Sequence, residues 1–217
     1  QSEEKIMKEV NTNGWSKQIF IVQCIVLALF FLLMLPSIQA LSCGTVSQNS
    51  TLDQDLVVAS GNCFTIGAHS VILDGAGYNI TGAGSIGIGV DTYDDVQIIN
   101  FGNIHNFTHG IYFEGSADRG YIAGNNVTME VGTNTRGINI ESSSDANITR
   151  NNVSYSAGSS RAVFINGAAN TKVHNNFVRV TSSSTSGIDV WGSSTDVNVT
   201  ENTIIMTSTT GSDGIPV

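Results

Sequence analysis

Gly87-Ile88-Gly89-Val90, Gly110-Ile111-Tyr112-Phe113, Gly137-Ile138-Asn139-Ile140, Ala162-Val163-Phe164-Ile165 and Gly187-Ile188-Asp189-Val190 are versions of one phrase: small, apolar, outward, apolar. The phrase restarts at Gly214-Ile215-Pro216-Val217, and successive starts lie 23, 27, 25, 25 and 27 residues apart. A second phrase keeps step with it: an aliphatic residue, two others, Asn, one other, an aliphatic residue. It reads Ile122/Asn125/Val127, Ile148/Asn151/Val153, Val173/Asn176/Val178 and Val199/Asn202/Ile204. An earlier copy, Ile99/Gly102/Ile104, has Gly at the Asn position. Repetition at such a period marks a solenoid.

The content of each repeat selects the kind. Apolar and polar residues alternate at period two; Val, Ile, Thr, Phe and Tyr fill the runs, and Gly, Asn, Asp and Ser punctuate them. A repeat of about 25 residues with two or three short strands is one turn of a parallel β-helix, an all-β fold whose stacked coils share one core. Asn125, Asn151, Asn176 and Asn202 are expected to form an internal ladder, since Asn tolerates left-handed corners and its amide can bond the Asn of the next coil. Gly102 is expected to be the first member of that file.

Residues 19–35 form an apolar run broken only by Gln23 and Cys24, with Lys17 before it and the small residues Ser37 and Ala40 after it. This predicts a secretory signal peptide cleaved after Ala40, with an uncleaved N-terminal membrane anchor as the alternative. Either places the repeats outside the cytoplasm, secreted or on the cell surface. The chain is divided accordingly into residues 1–40, a cap with the first coils at 41–86, and the repeats at 87–217. It begins with Gln, so the reading frame is expected to start at Met7 or upstream. It ends two residues into a new coil without a polar cap, which reads as the N-terminal part of a longer protein.

Beyond residue 40 there are 6 Lys and Arg against 15 Asp and Glu, a net charge of 6 − 15 = −9. With no basic stripe to displace counterions, nucleic acid is excluded as a partner. Cys43 and Cys63 read as a disulfide fastening the cap in an oxidising compartment. Seven Asn-x-Ser/Thr sequons occur, at Asn49, Asn79, Asn106, Asn126, Asn147, Asn152 and Asn198.

Cys43-Gly44, Asp53-Gln54-Asp55-Leu56, Cys63 and Val71-Ile72-Leu73-Asp74-Gly75-Ala76-Gly77-Tyr78, followed by the repeats, resemble the opening of secreted right-handed parallel β-helix proteins, including NosD-like and archaeal or bacterial surface proteins. The resemblance spans about residues 43–217 and implies architecture. It leaves activity open, because that superfamily holds pectate-type lyases, polygalacturonase-type glycosidases, epimerases, adhesins and surface-layer components.

Alternation within the first phrase makes two outward files: Gly89, Tyr112, Asn139, Phe164, Asp189 and Pro216, then Asp91, Glu114, Glu141, Asn166 and Trp191. Stacked carboxylates repel unless a cation or a donor-rich ligand intervenes. Asp91, Tyr112, Glu114, Glu141, Asp189 and Trp191 are therefore the ligand candidates, for a polysaccharide or cell-surface glycan, with Ca²⁺ at Asp91, Glu114 and Glu141 as the one metal the pattern suggests. No other cofactor is expected.

Asp94-Asp95 and Thr108-His109-Gly110 resemble a polygalacturonase pair, but the glycine before His109 and the later Arg-x-Lys are missing. Asp95 also falls at a turn where other coils carry Asp118, Asp145, Asn170 and Asp196. Arg119, Arg136, Arg150, Arg161, Lys172 and Arg179 stand outside the acidic files, which leaves a lyase without its base. The glycines from Gly82 to Gly87 precede a strand pattern, not a helix, so they do not form a dinucleotide loop. No catalytic residue is named. The reading is an exported β-helix with a structural, adhesive or glycan-binding role. A polysaccharide lyase or hydrolase completed by further coils ranks second. A NosD-like periplasmic accessory ranks third, since His and Met are few and the Cys pair is structural.

Overall fold

The computed structural model describes residues 21–23, 25, 40–130, 132–156, 158, 160–183, 185–207 and 213–215. Two units separate, Gln1–Gln39 and Ala40–Val217. In the first, Ile21, Val22, Gln23 and Ile25 are helical; the rest of the segment expected to be a signal peptide or anchor, up to residue 39, lies outside the described residues. No helix among the described residues is long and apolar enough to cross a membrane. The restart of the phrase at Pro216 and Val217 also falls outside them.

The second unit is a parallel β-helix of three seven-stranded sheets. The first sheet holds Gly44–Val46, Phe64–Ile66, Ile86–Asp91, His109–Glu114, Arg136–Glu141, Arg161–Asn166 and Ser186–Trp191. The second holds Ser50–Thr51, Ile72–Asp74, Gln97–Ile99, Tyr121–Ala123, Asn147–Thr149, Lys172–His174 and Asn198–Thr200. The third holds Leu56–Val58, Asn79–Gly82, Asn103–His105, Asn126–Met129, Asn152–Tyr155, Phe177–Val180 and Thr203–Met206. The chain visits the sheets in that order and returns to each one coil later. Such parallel crossovers are right-handed almost without exception.

Equivalent residues pair directly, as in Ile88↔Ile111↔Ile138↔Val163↔Ile188, all fully buried. The core is therefore a bundle of aliphatic files. The small residue opening each phrase has a steric cause: a Cβ added at Gly87, Gly110 or Gly137 would lie 2.5, 2.5 and 2.6 Å from the carbonyl oxygen of the next coil. It would also press on Ile104 or the core valines Val127 and Val153.

At the corner between the second and third sheets, Asn125, Asn151, Asn176 and Asn202 stack. Each Nδ2 from Asn125, Asn151 and Asn176 donates to the Oδ1 of the next Asn at 3.0 Å, and the backbone N–H of the same residue donates to that oxygen at 2.9–3.0 Å. The second amide hydrogen goes to a carbonyl of the preceding coil, Ile98, Ile122, Ile148 or Val173. Two details differ from the sequence reading. The left-handed corner residue is the one before each Asn: Asn100, Gly124, Arg150, Asn175 and Glu201, with φ between 54° and 67°. The file begins not with Gly102 but with Phe101, whose N–H donates to Asn125 Oδ1 at 3.1 Å. That turn holds one residue more, and Gly102 is the insertion; a Cβ there would lie 2.0 Å from Gly77 O.

The turn Asp is also shifted by one in a single coil. Asp95, Arg119, Asp145, Asn170 and Asp196 share φ of 53–59°, so Arg119, not Asp118, occupies that position. Arg119 closes the gap by bonding Asp95 Oδ1 at 2.7 Å and Asp94 Oδ2 at 3.1 Å. Cys43 and Cys63 form a disulfide across a separation of 20 residues, joining the first two strands of the first sheet.

Removing Asn151 orphans the buried N–H and amide of Asn125. Asn151→Ala should cost about 2–4 kcal/mol, from roughly 1–3 kcal/mol per unsatisfied buried group. Asn126→Ala, at the half-buried outward neighbour of the ladder, should cost clearly less. Urea unfolding followed by circular dichroism checks the order; equal losses would remove the ladder as a source of stability.

Candidate binding face

The outer face of the first sheet carries three side-chain files, one more than alternation alone suggested. Before the Gly-Ile pair stand Ile86, His109, Arg136, Arg161 and Ser186, in register. The small residue turns inward, so the residue before it faces out beside the two expected files. Arg136 and Arg161 stand outside the acidic files, in this third one, and thus flank the acidic candidates.

The middle file, Gly89, Tyr112, Asn139, Phe164 and Asp189, is in register, but its upper half is covered. Asn139, Phe164 and Asp189 are 0%, 2% and 7% exposed. Arginines lie over the second of these: the guanidinium carbons of Arg136 and Arg161 lie 4.4 and 4.5 Å from the Phe164 ring centroid. Arg161 Nε donates to Asp189 Oδ2. Asp189 is therefore an internal ion-pair partner rather than an open ligand group.

Glu141 is the hub of the third file. Its Oε2 accepts from the Tyr112 hydroxyl at 3.0 Å and the Asn139 amide at 3.4 Å, and Oε1 accepts from Asn166 Nδ2 at 3.3 Å. Arg136 Nη1 is 3.5 Å away. Burial raises this carboxyl, but the hydrogen bonds from Tyr112 and Asn139, the Arg136 charge and the Asn166 amide outweigh it, so it stays below its ordinary value of 4.5. Burial first, then the neighbouring Glu114 and Glu141, push the Tyr112 phenol far above its ordinary range. The face stays acidic, with Asp91, Glu114, Glu141 and Asp189 against Arg136 and Arg161, but Glu141 and Asp189 are paired within it.

His109 stacks on Tyr112, ring centroids 4.9 Å apart, with Nε2 3.4 Å from Arg136 Nη1. Burial, then the Arg136 charge, lower its pKa from 6.5 to about 4 against the opposing pull of Glu141. At neutral pH it is uncharged and accepts from the arginine. The accessible candidates are Asp91, exposed and paired in register with half-buried Glu114, and Trp191, 63% exposed beside Asn166.

Metal chemistry finds little support in these placements. Asp91, Glu114 and Glu141 share a file without converging, because Glu141 turns toward its own donors. Among the described residues no three His, Cys, Asp or Glu side chains form a group able to hold a metal. The histidines sit apart: His69 edge-on to Tyr93 in a turn, His105 on the third sheet by Glu130, His109 on the first, and His174 on the second by Asn147. Of the sequons, Asn152 and Asn198 are exposed with no side-chain hydrogen bond among the described residues. Asn49 Oδ1 is engaged by the Ile72 N–H at 2.9 Å.

The depressed His109 pKa has a signed consequence. The unfolded chain takes up a proton near 6.5 while the folded one resists until about 4, so stability falls as pH drops through that interval. His109→Phe keeps a ring against Tyr112 and should flatten urea midpoints between pH 7.5 and pH 4.5, a window set by that shift. A slope equal to that of the unmodified chain would exclude His109 as its origin.

A family model described as "Periplasmic copper-binding protein (NosD)" matches residues 39–213. No curated protein and no solved structure matches the chain.

Proposed function

The chain belongs to the NosD family, matched over residues 39–213, and on that premise we propose that its β-helix is an extracytoplasmic, non-catalytic binding scaffold with its contact face on the first sheet. The family is described as periplasmic, in keeping with a disulfide-closed cap. What supports the reading is the outer file of the first sheet, which presents exposed Asp91 in register with half-buried Glu114 and, further along, the indole of Trp191 in register with Asn166. Trp and Tyr are enriched at contact surfaces, where the ring offers an apolar face and the N–H or O–H a polar handle. Asp91 and Glu114 lie four and three coils back along the same file, about 19 and 14 Å at strand spacing, where they suit the hydroxyl donors of the same extended chain, so the ligand proposed is a neutral glycan.

The family match reverses one ranking: the NosD-like class, placed third from the sequence, now comes first as a lineage. Copper does not follow from it. Cu(I) takes thiolate and thioether ligands and Cu(II) takes imidazole. Beyond residue 40, Cys43 and Cys63 are joined to each other, and Met129 is fully buried. Met206 is three coils away in the same file, and the four histidines occupy separate places. These donors do not fit a copper site, and no step of the proposed function runs through the metal.

The lyase reading also loses ground on chemistry. Arg136 and Arg161 lie on the acidic face after all, but each is held against Phe164 and a carboxylate. A guanidinium so stabilised does not take a proton.

Trp191→Ala should abolish retardation of the full-length chain in native gels cast with neutral polysaccharides, leaving its thermal midpoint unchanged. Equal retardation of variant and parent would reject Trp191 as the contact.

A further inference from the structure

The outer face of the third sheet holds a cleft of about 190 Å³ lined by Thr128, Glu130, Ser154, Tyr155, Ser156, Arg179 and Thr181. Two neighbouring outward files build it. Thr128, Ser154 and Arg179 pair directly across three coils, and His105 precedes them in the same file. Glu130, Ser156 and Thr181 follow two residues later, each just past its strand.

Most polar groups of this cleft are unspent. Arg179 is exposed and has no carboxylate within ion-pair distance among the described residues, although Glu130 lines the same cleft. Glu130 instead lies 3.2 Å from His105 Nε2, a contact rather than an aligned hydrogen bond. The hydroxyls of Thr128, Ser154 and Ser156 make no side-chain hydrogen bond among the described residues; Thr181 alone uses its hydroxyl, donating to Tyr155 O at 3.2 Å. One open cation, one carboxylate and three free hydroxyls therefore converge in a chain whose net charge is −9.

We propose that this cleft is a subsite for a small hydroxylated carboxylate, a single sugar-acid unit. Arg179 offers a planar two-donor fork that matches a carboxylate. Glu130 accepts from ligand hydroxyls and, being negative, repels a doubly charged phosphate. Thr128, Ser154 and Ser156 both donate and accept, as a ring of hydroxyls requires. The volume is below the roughly 300 Å³ at which drug-sized sites begin, so one unit fits. This site is on a different sheet from the glycan face and stands on different residues.

The test is a titration of the full-length, isotope-labelled chain with D-glucuronate, D-glucose, acetate and inorganic phosphate, read by amide chemical shifts. Glucuronate should give saturable shifts at residues 128–130, 154–156 and 179–181, and the other three probes should bind far more weakly. Arg179→Gln should weaken glucuronate binding by about tenfold or more, as expected for loss of a charge-assisted pair. Arg179→Lys, which keeps charge without the fork, should recover part of it. Since Arg179 is exposed, an unchanged thermal midpoint will show that both variants fold. Equal binding of acetate or phosphate would overturn the sugar-acid assignment. Glucuronate shifts confined to the surroundings of Trp191 would overturn the cleft while leaving the first-sheet face standing, and no shifts anywhere would overturn the cleft alone.

Discussion

Stacking in register is the constraint from which the rest follows. Each strand of a coil gives its backbone N–H and C=O groups to the coils above and below, so no coil is satisfied alone. Once the backbones align, side chains of equal phase must lie over one another. A file can then hold only chemistry compatible with its own kind at strand spacing, roughly 4.8 Å. Aliphatic residues stack without penalty and make the core. Amides stack because each carries both donor and acceptor, and Asn125 to Asn202 use both halves. Carboxylates stack only with help, which explains why Glu141 gathers donors from Tyr112, Asn139, Asn166 and Arg136.

The same rule sorts what the sequence could and could not disclose. Period, sheet class, inward files and the amide stack were legible because each repeats as a residue pattern. The insertion at Gly102 was hidden, since a one-residue change in a turn leaves the spacing between aliphatic residues nearly intact. Likewise Arg119 stands in for a turn Asp, and no identity pattern marks it; only its backbone angle does.

On the first sheet the two expected files were found in register, but their exposure was misjudged. Alternation predicts which way a side chain points, not what another side chain then lays over it. Arg136 and Arg161 are long enough to reach across to Phe164, Glu141 and Asp189, and Asn139 is fully buried in the same file. The signal that would have found them is the residue before each small one: His109, Arg136 and Arg161 are polar in three consecutive coils. The third-sheet cleft was invisible for a different reason. Its members come from a strand file and from the loops after those strands, and the loops vary in length from coil to coil.

The equal rise from coil to coil also makes the molecule a ruler. Any linear ligand lying along a sheet meets the same kind of position once per rung, in steps of roughly 4.8 Å. A polymer whose monomers advance by a commensurate step keeps phase with the scaffold and gains one contact per coil. One with a mismatched step drifts out of phase within a few rungs. Length discrimination would then arise from geometry shared by every coil, with no single residue responsible for it.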